Sequence, residues 1–460
     1  MVNEDVFHAY DIRGRSPGEL DADFAYRLGQ AVVEEMDASN LIVGRDMRAT
    51  SAELSAALID GMRSRGADVY DIGLCTTPLF YYAGADVKLP GTGELADAGV
   101  MVTASHNPSE YNGFKIIRRG AVPVGLDSGL RAIRERMQSP RLPDEAGGAE
   151  RELSVLDAYI QKLEQIIPFG NIKPMTIAVD AGNGMAGATL PALFARLPQL
   201  NIRPLFFELD GRFPNHEPNP IKRETMDSLC RAVLESKSAL GVAFDGDADR
   251  IGFVDEQGTY VPVDLVFALI ARELLRTSPG GTVLYDVRES RVLAEEVRAA
   301  GGRPEMHRVG HVFFKESMRA RDALFGAELS GHCYWQSFFN VESTDLALLY
   351  VLTILSRDGR PFSEIMAPLR RYHHSGEINF TVADTAGALR ALREKHEGRP
   401  DARLSELDGI RFDYPDWWFS VRASNTEPLL RLNAEAGTKE KLDEVVGEIS
   451  EVINQHARRL

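Results

Sequence analysis

Three aspartates at alternate positions, Asp245, Asp247 and Asp249 in the stretch FDGDADR, put three carboxylates within five residues of chain. In an extended segment alternate side chains share one face, so these carboxylates are expected to converge. Carboxylates this close repel one another unless a cation lies between them, and ligation by oxygen alone suits Mg²⁺ or Ca²⁺. The spacing therefore predicts a divalent metal site.

A second group of reactive side chains surrounds Ser105 in TASHNPSEYNGFK, directly after the apolar run AGVMV. The apolar run predicts a buried strand, and the serine would lie in the loop at its carboxyl end, where open α/β sheets bind ligands. With a metal site elsewhere in the chain, this hydroxyl suggests phosphoryl chemistry: the cation neutralises phosphate charge and the hydroxyl carries the group. Ordinary turn chemistry is the alternative for this loop taken alone.

Two further loops carry polar groups suited to a phosphorylated sugar. AELSGH, at 327–332, combines a carboxylate, a hydroxyl and an imidazole, which together can bind vicinal sugar hydroxyls. RASNTEP, at 422–428, supplies a guanidinium, hydroxyls, an amide and backbone N–H groups as donors to a phosphate dianion. Either loop in isolation would be an ordinary polar turn.

Two other functions are compatible with parts of this pattern. An EF-hand would also use carboxylates at loop positions one, three and five, with Glu256 at position twelve, but its required glycine is Arg250 here and its flanks resemble strands. DAGNGMAG, at 180–187, has GxGxxG spacing after a strand, and Glu208 ends the next strand. An NAD-dependent Rossmann oxidoreductase is therefore the runner-up, which NAD(H) binding would test, although such glycines also serve tight turns.

Strand-like and helix-like runs alternate through most of the chain, as is typical of βαβ construction. The polar stretch RLPDEAGGAERE at 141–152 indicates a first domain boundary, and a hairpin is expected at 256–258. The last hundred residues differ: two strands, WFSVRAS and LLRLNAEA, precede a helix with Thr438 as its N-cap. Three related α/β units and a smaller α+β unit are predicted.

Composition places the chain among ordinary globular proteins of several domains: 460 residues, 44% hydrophobic and 26% charged. A net charge of −16 without a basic run disfavours nucleic acid and membrane as partners. Three dispersed cysteines, Cys75, Cys230 and Cys333, fit neither a disulfide framework nor a metal site. The amino terminus lacks an apolar signal core and no apolar run could span a bilayer, so a cytoplasmic location is expected.

Together and in this order, the four loops closely resemble those of the α-D-phosphohexomutase family. The resemblance runs from YDIRG at 10–14 to the carboxyl terminus, and YDIRG, SHNPSEYNGFK, FPNHEPNP and RASNTEP resemble the phosphomannomutase/phosphoglucomutase branch. It implies three related α/β domains with mixed sheets plus a smaller C-terminal α+β domain around a central cleft. The expected domains are 1–150 with the phosphoserine, 151–257 with the metal, 258–372 with the sugar site and 373–460 with the C-terminal phosphate site.

The resemblance implies an enzyme that interconverts hexose 1-phosphate and hexose 6-phosphate of mannose, glucose or both. Ser105 would be a phosphoserine that lends its phosphoryl group to one end of the sugar. The resulting hexose 1,6-bisphosphate turns end for end and returns its other phosphoryl group. Mg²⁺ would be held by Ser105 and the three aspartates, hexose 1,6-bisphosphate would also act as activator, and phosphoglucosamine mutase is the nearer alternative.

The same resemblance implies the other catalytic residues. Arg13 and Lys115 would flank the transferring group, and Arg250 would lie beside the metal loop. His311 would act as an acid or base, although a surface or hydrogen-bonded histidine is the simpler interpretation. The implied substrate-binding residues are Tyr10, Arg288, Glu328, Ser330, His332, Arg422, Ser424, Asn425 and Thr426.

Two residues depart from the family pattern. Arg288 stands where relatives usually have lysine, which keeps the charge and changes the donor geometry. Ala327 stands where glycine is usual, which predicts less backbone freedom at the start of the sugar loop. Neither removes a reactive group.

The choice of sugar and the oligomeric state do not follow from the sequence. Glucose and mannose differ at C2, whereas the sugar loop of relatives binds the 3- and 4-hydroxyls. A phosphatase would share the metal and the serine and release inorganic phosphate, and a non-catalytic sensor would bind a sugar phosphate without converting it. Assays of phosphate release and of interconversion separate these alternatives.

Overall fold

The structure is a computed structural model that describes residues 3–139, 142–144, 147–423 and 429–456. These residues contain four β-sheets and fourteen α-helices. The first group of elements is β1 (Ile12–Arg15), α1 (Ala22–Met36), β2 (Asn40–Arg45), α2 (Ser51–Arg63), β3 (Asp68–Leu74), α3 (Thr77–Asp86), β4 (Ala98–Val102), β5 (Tyr111–Arg118), β6 (Val122–Pro123), α4 (Leu130–Gln138) and β7 (Glu150–Glu152).

The first sheet is mixed and has strand order β1-β5-β4-β2-β3-β7, with β6 also paired to β5. Strands β4, β2, β3 and β7 are parallel, whereas β5 is antiparallel to both β4 and β1. All five residues of β4, the run AGVMV, are buried, which confirms the predicted strand. A continuous apolar run suits a central strand that is covered on both faces.

The second sheet repeats this arrangement. Its elements are α5 (Leu156–Ile166), β8 (Met175–Asp180), α6 (Ala186–Ala195), β9 (Leu200–Leu205), α7 (Asp227–Ser236), β10 (Leu240–Phe244), β11 (Ile251–Asp255) and β12 (Tyr260–Val261). The strand order is β12-β11-β10-β8-β9, so β9-β8-β10-β11 matches β3-β2-β4-β5 in order and direction. The hairpin between β11 and β12 is confirmed, and strands rather than EF-hand helices flank the aspartate loop.

The third group of elements is α8 (Val263–Thr277), β13 (Thr282–Asp286), α9 (Arg291–Ala299), β14 (Arg303–His307), α10 (His311–Ala320), β15 (Phe325–Ala327), β16 (Cys333–Trp335), β17 (Val341–Glu342) and α11 (Thr344–Asp358). The strand order of this sheet is β14-β13-β15-β16-β17. Ala327 is the last residue of β15, where extended backbone suits alanine as well as glycine. The substitution of glycine therefore needs no unusual backbone conformation.

The fourth group is α12 (Phe362–Met366), β18 (His373–His374), β19 (Ile378–Thr381), α13 (Thr385–His396), β20 (Arg403–Ser405), β21 (Ile410–Asp413), β22 (Trp417–Ala423), β23 (Leu429–Ala436) and α14 (Lys439–Asn454). Its sheet has order β18-β23-β22-β21-β20, with β19 also on β23, and every pairing is antiparallel. The two predicted strands are confirmed. So is the N-cap of α14, because Thr438 accepts a hydrogen bond from the N–H of Lys441.

The chain divides into two compact units. The first comprises Met1–Val263, Lys315–Phe325 and Ser330–Ile365, and the second comprises Asp264–Phe314, Gly326–Leu329 and Met366–Leu460. In the first unit, Phe24 of α1 and Phe114 of β5 belong to an apolar core between helices and sheet. None of the helices in the described part of the chain combines the length and apolar character needed to cross a bilayer.

His396, the last residue of α13 in the second unit, is a buried histidine outside the predicted site. Its ring packs against Phe412 and Phe419, and its Nδ1 lies 2.7 Å from the hydroxyl of Tyr414. Burial, reinforced by the charge of Arg399, lowers the pKa of His396 to about 4. The imidazole is therefore neutral in the folded chain near neutral pH.

We expect acid to destabilise the second unit through His396. Its folded-state pKa of about 4 lies below the value of about 6.5 in an unfolded chain, so the unfolded state binds the proton first as pH falls. The free energy of unfolding should be highest above about pH 6.5 and fall by at most about 3 kcal/mol toward pH 4. Urea unfolding followed by tryptophan fluorescence, near neutral pH and at about pH 5, should show a smaller decrease for His396→Gln.

The matched control for this experiment is His373→Gln, which changes an exposed histidine of β18. It should retain the pH dependence of the wild type. A His396→Gln variant with the same decrease as the wild type would show that this histidine does not link protonation to unfolding.

Candidate active site

The loop between β10 and β11 carries the three aspartates, and it is a turn, so the prediction of an extended segment is wrong. Oδ1 of Asp245 accepts hydrogen bonds from the backbone N–H groups of Asp249 and Arg250, at 3.0 and 3.1 Å. Ala248 has a φ of 59°, in the left-handed region. The predicted convergence is nevertheless present, because one carboxylate oxygen from each of Asp245, Asp247 and Asp249 lies within 4.8 Å of the others.

Ser105 lies in the loop after β4, as predicted, and is buried. Its φ of 51° is left-handed, which is uncommon for a residue with a Cβ and often marks a functional site. Its Oγ donates a 2.6 Å hydrogen bond to Oδ2 of Asp245. Glycine at position 246 permits this approach, because a Cβ on Gly246 would lie 2.4 Å from the carbonyl oxygen of Ser105.

Lys115, on β5, is a buried cation between two of the aspartates. Its Nζ donates hydrogen bonds to Oδ2 of Asp247 at 2.8 Å and to Oδ2 of Asp249 at 2.5 Å. Burial alone would lower the pKa of Lys115, but these two carboxylates outweigh it and raise the pKa. Lys115 faces Met101 of β4 across the antiparallel pair, so the sheet fixes the lysine relative to the serine loop.

The carboxylates differ in how readily they ionise. Burial, with the charges of Asp249 and Asp247, raises the pKa of Asp245 well above its usual range. Burial also opposes ionisation of Asp249, but the positive charges of Lys115 and His332 outweigh it and hold the pKa of Asp249 well below its usual range. An added cation would favour ionisation of Asp245 as well.

The donor set of this cluster fits a divalent cation. Oδ2 of Asp247 accepts a hydrogen bond from Lys115, whereas Oδ1 of Asp247 is buried and accepts none. A buried carboxylate oxygen without a donor is costly, and a metal ion would supply the missing partner. Oxygen ligands alone suit a hard cation such as Mg²⁺. Within the described ranges, this is the one group of acidic, histidine or cysteine side chains placed to hold a metal ion.

The two predicted arginines contact different loops of the site. Arg13 of β1 donates a 2.6 Å hydrogen bond to Oδ1 of Asn107 in the serine loop and pairs with Asp11 at 2.5 Å. Burial would lower the pKa of Arg13, but Asp11 raises it, and the net shift is upward. Arg250 follows the aspartate loop, and its Nε lies 3.9 Å from Oδ2 of Asp245.

Two residues of the predicted sugar loop, Ser330 and His332, belong to the first unit. Oγ of Ser330 lies 2.7 Å from Nδ1 of His332, and Nε2 of His332 lies 3.2 Å from Oδ1 of Asp249. The sequence predicted His332 as a sugar ligand, and its contact with a predicted metal ligand is new. Tyr10, also predicted, is half-buried just before β1.

Arg48 was not predicted, although it binds the backbone of the serine loop. Its guanidinium donates hydrogen bonds of 2.8, 2.6, 2.7 and 2.9 Å to the carbonyl oxygens of Ser105, Asn107, Pro108 and Tyr111. The side chain is 1% exposed, pairs with Asp46 at 3.3 Å and lies over the ring of Phe213. The only sequence signal is the charged stretch RDMR after the strand LIVG, since buried charges need partners.

The glycine-rich stretch DAGNGMAG packs against the aspartate loop. A Cβ on Gly184 would lie 2.8 Å from the carbonyl oxygen of Gly246, and the N–H of Met185 donates a 2.8 Å hydrogen bond to that oxygen. Gly182 has a φ of 55°. The glycines therefore form a tight strand-to-helix turn that allows close packing, as the structural alternative had predicted.

The described part of the second unit contains four predicted residues, Arg288, His311, Glu328 and Arg422. Arg288 forms a bidentate pair with Asp286, through Nε to Oδ1 at 3.1 Å and through Nη2 to Oδ2 at 2.6 Å, and lies 3.8 Å from the carboxylate of Glu377. Arg422, at the end of β22, lies 3.4 Å from the same carboxylate. The structure thus brings Arg288 and Arg422 to one carboxylate.

Glu328 and His311 are the other two predicted residues in the described part of this unit, and the N–H of Leu329, next to Glu328, donates a 2.9 Å hydrogen bond to Oδ2 of Asp286. Oε1 of Glu328 accepts a 2.8 Å hydrogen bond from the N–H of Gly310, and His311 is the first residue of α10. Three predicted phosphate ligands lie outside the described residues: Ser424, Asn425 and Thr426.

Comparisons with known proteins match this architecture along nearly the whole chain. Four family profiles match in order, described as phosphoglucomutase/phosphomannomutase α/β/α domains I, II and III and C-terminal domain, at residues 4–143, 157–258, 262–372 and 377–452. The chain belongs to the phosphoglucomutase/phosphomannomutase family. It therefore has four domains, three α/β domains with mixed sheets and a smaller C-terminal domain, as predicted.

Individual relatives agree with the family. The chain is 39% identical to a protein of Xanthomonas campestris pv. campestris named phosphohexose mutases, over 97% of this chain and 99% of the relative. It is 36% identical to the phosphomannomutase/phosphoglucomutase of Pseudomonas aeruginosa, over 96% of this chain and 93% of the relative. A solved structure of a family member from Burkholderia thailandensis has a TM-score of 0.90 and 32% identity, covering 99% of this chain and 98% of that one.

The predicted enzyme class is thereby confirmed. This phosphoglucomutase/phosphomannomutase family member is an isomerase that interconverts hexose phosphates. Phosphoglucosamine mutase is not better supported, and the Rossmann oxidoreductase suggested by DAGNGMAG is not supported by the family matches.

Proposed function

We propose that Ser105 carries the phosphoryl group in this phosphohexomutase and that Asp245, Asp247 and Asp249 hold Mg²⁺ beside it. One observation carries the proposal: Oγ of Ser105 lies 2.6 Å from Oδ2 of Asp245, in a buried cluster of three converging carboxylates. When bound, the cation would offset negative charge on the phosphoryl oxygens.

The proposed reaction moves one phosphoryl group at a time. A sugar hydroxyl attacks the phosphorus of phosphoserine, a new P–O bond forms as the bond to Oγ of Ser105 breaks, and the hydroxyl proton passes to a base. The hexose 1,6-bisphosphate then reverses its orientation and returns its other phosphoryl group to Oγ. The positive charges of Lys115, beside the aspartate loop, and Arg13, beside the serine loop, would stabilise negative charge on the phosphoryl oxygens in both transfers. Arg250 would add a third positive charge near Asp245.

Separate roles are proposed for the substrate-binding residues. Guanidinium groups bind phosphate oxygens in fixed geometry, which suits Arg288 and Arg422. The carboxylate of Glu328 suits sugar hydroxyls, and His311 is the proposed acid or base. The remaining proposed substrate ligands are Tyr10, Ser330, His332, Ser424, Asn425 and Thr426.

We also propose that both mannose and glucose phosphates are substrates. The support comes from relatives of 35–38% identity that are named phosphomannomutase or phosphomannomutase/phosphoglucomutase. A hexose 1,6-bisphosphate is the proposed activator, because it can transfer a phosphoryl group to an unmodified Ser105. The proposed domain limits are 1–150, 151–257, 258–372 and 373–460.

The proposed compartment is the cytoplasm. Cys75, Cys230 and Cys333 are all free thiols, as a reducing environment permits. The proposed partners are small-molecule hexose phosphates, and a net charge of −16 argues against nucleic acid and anionic membranes as partners.

A coupled assay tests the metal-dependent mutase reaction. With glucose 1,6-bisphosphate present, we expect mannose 1-phosphate and glucose 1-phosphate to become 6-phosphates without release of inorganic phosphate. Removal of metal with EDTA should lower the rate at least about a hundredfold, because the buried carboxylates then lack their counter-ion, and added Mg²⁺ should restore it.

Three results would contradict this proposal. Release of inorganic phosphate in step with substrate loss would indicate a phosphatase. Full activity after complete metal removal, verified by elemental analysis, would exclude the proposed role of the aspartates. Conversion of glucosamine 1-phosphate in preference to both hexose phosphates would favour the phosphoglucosamine alternative.

A further inference from the structure

We propose that Thr77 is a positioning residue for the metal ligand Asp247, an inference that rests on the metal site proposed above. Thr77 is the first residue of α3, in the sequence TTP after β3, and it is fully buried. Its hydroxyl donates a 2.7 Å hydrogen bond to Oδ2 of Asp247. Its backbone N–H donates a 2.9 Å hydrogen bond to the carbonyl oxygen of the same aspartate.

These contacts decide which oxygen of Asp247 is available to a cation. Oδ2 accepts hydrogen bonds from both Thr77 and Lys115, whereas Oδ1 is buried and accepts none. Two donors at one oxygen restrict rotation of the carboxylate and leave Oδ1 as the free ligand atom. Without the threonine hydroxyl, Lys115 alone would hold this carboxylate, and Lys115 is shared with Asp249.

A hydroxyl suits this task better than a second cation. When ionised, the three carboxylates outnumber the nearby cations Lys115 and Arg250, and the excess negative charge attracts a divalent ion. A further ammonium or guanidinium at Oδ2 would reduce that charge and compete with the metal. A neutral donor orients the carboxylate and leaves the attraction for the cation intact.

The first residue of another helix also contacts the aspartate loop, but through the backbone of the loop. Thr344 is the first residue of α11 and is also fully buried. Its hydroxyl donates a 2.6 Å hydrogen bond to the backbone carbonyl of Ala248, the residue with a φ of 59°. Thr77 thus holds a ligand side chain, whereas Thr344 holds the backbone of the loop. Thr344→Val is therefore a matched control for Thr77→Val.

The experiment measures Mn²⁺ binding to the purified protein by electron paramagnetic resonance, without substrate. Thr77→Val keeps the side-chain shape and removes the hydroxyl, and we expect the Mn²⁺ affinity to fall about 10–100-fold. Thr77→Ser restores a donor and should bind within about threefold of wild type. Thr344→Val should also stay within about threefold, because it leaves the Asp247 carboxylate untouched.

Activity provides a second readout. The loss of turnover in Thr77→Val should be recovered at high Mg²⁺, because the variant binds metal weakly and is otherwise intact. Thermal melting checks that each variant is folded, and Thr77→Ala replaces the valine variant if the latter is not.

Wild-type affinity in folded Thr77→Val or Thr77→Ala would overturn the proposal. So would an equal loss in Thr344→Val, because loop anchoring in general would then explain the result. Failure of the wild type to bind Mn²⁺ would instead refute the metal site itself, so the two failures are distinguishable.

Discussion

Replacement of Ser105 by alanine is expected to lower kcat for the conversion of hexose 1-phosphates at least about a thousandfold. Transfer between the two ends of the sugar requires an atom that holds the phosphoryl group while the sugar reverses. Oγ of Ser105 is placed for this by its 2.6 Å hydrogen bond to Asp245, and a methyl group has no lone pair with which to form the P–O bond. The loss should persist in the presence of glucose 1,6-bisphosphate.

The fold should survive this substitution, because it removes one oxygen from a buried loop and adds no bulk. Mass spectrometry after incubation with glucose 1,6-bisphosphate should find a phosphate on the peptide containing Ser105 in the wild type and none in Ser105→Ala. Ser109→Ala is the matched control, because Ser109 is an exposed serine of the same loop. Near-normal turnover in Ser105→Ala, or a phosphate on Ser109 instead, would refute the assignment.

The reacting groups were predictable because their signal is local in sequence. Three aspartates within five residues lie close together along the chain, and both the expected extended segment and the observed turn bring their carboxylates to one place. That shape was predicted incorrectly, because the N–H bonds to Asp245 and the left-handed Ala248 form a turn that spacing alone does not indicate. The serine loop was located correctly because AGVMV is a fully buried strand.

The residues that hold the reacting groups were not predictable, because their partners are distant in sequence. Arg48 binds the Ser105 carbonyl across 57 residues, Thr77 binds Asp247 across 170, and Thr344 binds Ala248 across 96. Each has an ordinary local interpretation, as part of a charged turn or a helix start. Only the packing of the folded chain brings them to the loops.

Glycine patterns illustrate the same limit. GxGxxG indicated a tight turn after a strand, which is what the structure contains, and it also suggested a dinucleotide. The pattern could not show that Gly184 lies against Gly246, whose carbonyl oxygen accepts a hydrogen bond from the N–H of Met185. The motif thus predicted the local backbone correctly, but the group that packs against it is the aspartate loop of the same chain and not a bound dinucleotide.

The two strained residues of the site share one form of support. Ser105 and Ala248 both have left-handed φ values, of 51° and 59°. The carbonyl oxygen of each accepts a hydrogen bond from a buried side chain of another element, Arg48 for Ser105 and Thr344 for Ala248. Left-handed backbone costs on the order of 1–3 kcal/mol at residues with a Cβ, and it persists where surrounding contacts over-determine it. Arg48 therefore supports the backbone of the serine loop at Ser105, and Thr344 supports the backbone of the aspartate loop at Ala248.

Arg48→Lys is expected to lower kcat about a hundredfold and to change KM little. The guanidinium uses a planar fork to bind four carbonyl oxygens of the serine loop, whereas an ammonium has three donors at a single point. Lysine keeps the positive charge beside buried Asp46, so the variant should fold. A displacement of Oγ of the order of 1 Å suffices for such a loss.

Two comparisons separate positioning from a general loss of stability. Arg45→Lys, three residues earlier at the end of β2, changes a half-buried arginine that pairs with Asp71 and does not contact the serine loop, so it should retain near-normal kcat. Mn²⁺ affinity in Arg48→Lys should stay close to that of the wild type, because Asp245, Asp247 and Asp249 supply most of the proposed ligands and their loop is unchanged. A kcat near the wild-type value would show that the four hydrogen bonds are not needed to place Ser105, and a parallel loss of Mn²⁺ affinity would show that Arg48 acts on both loops.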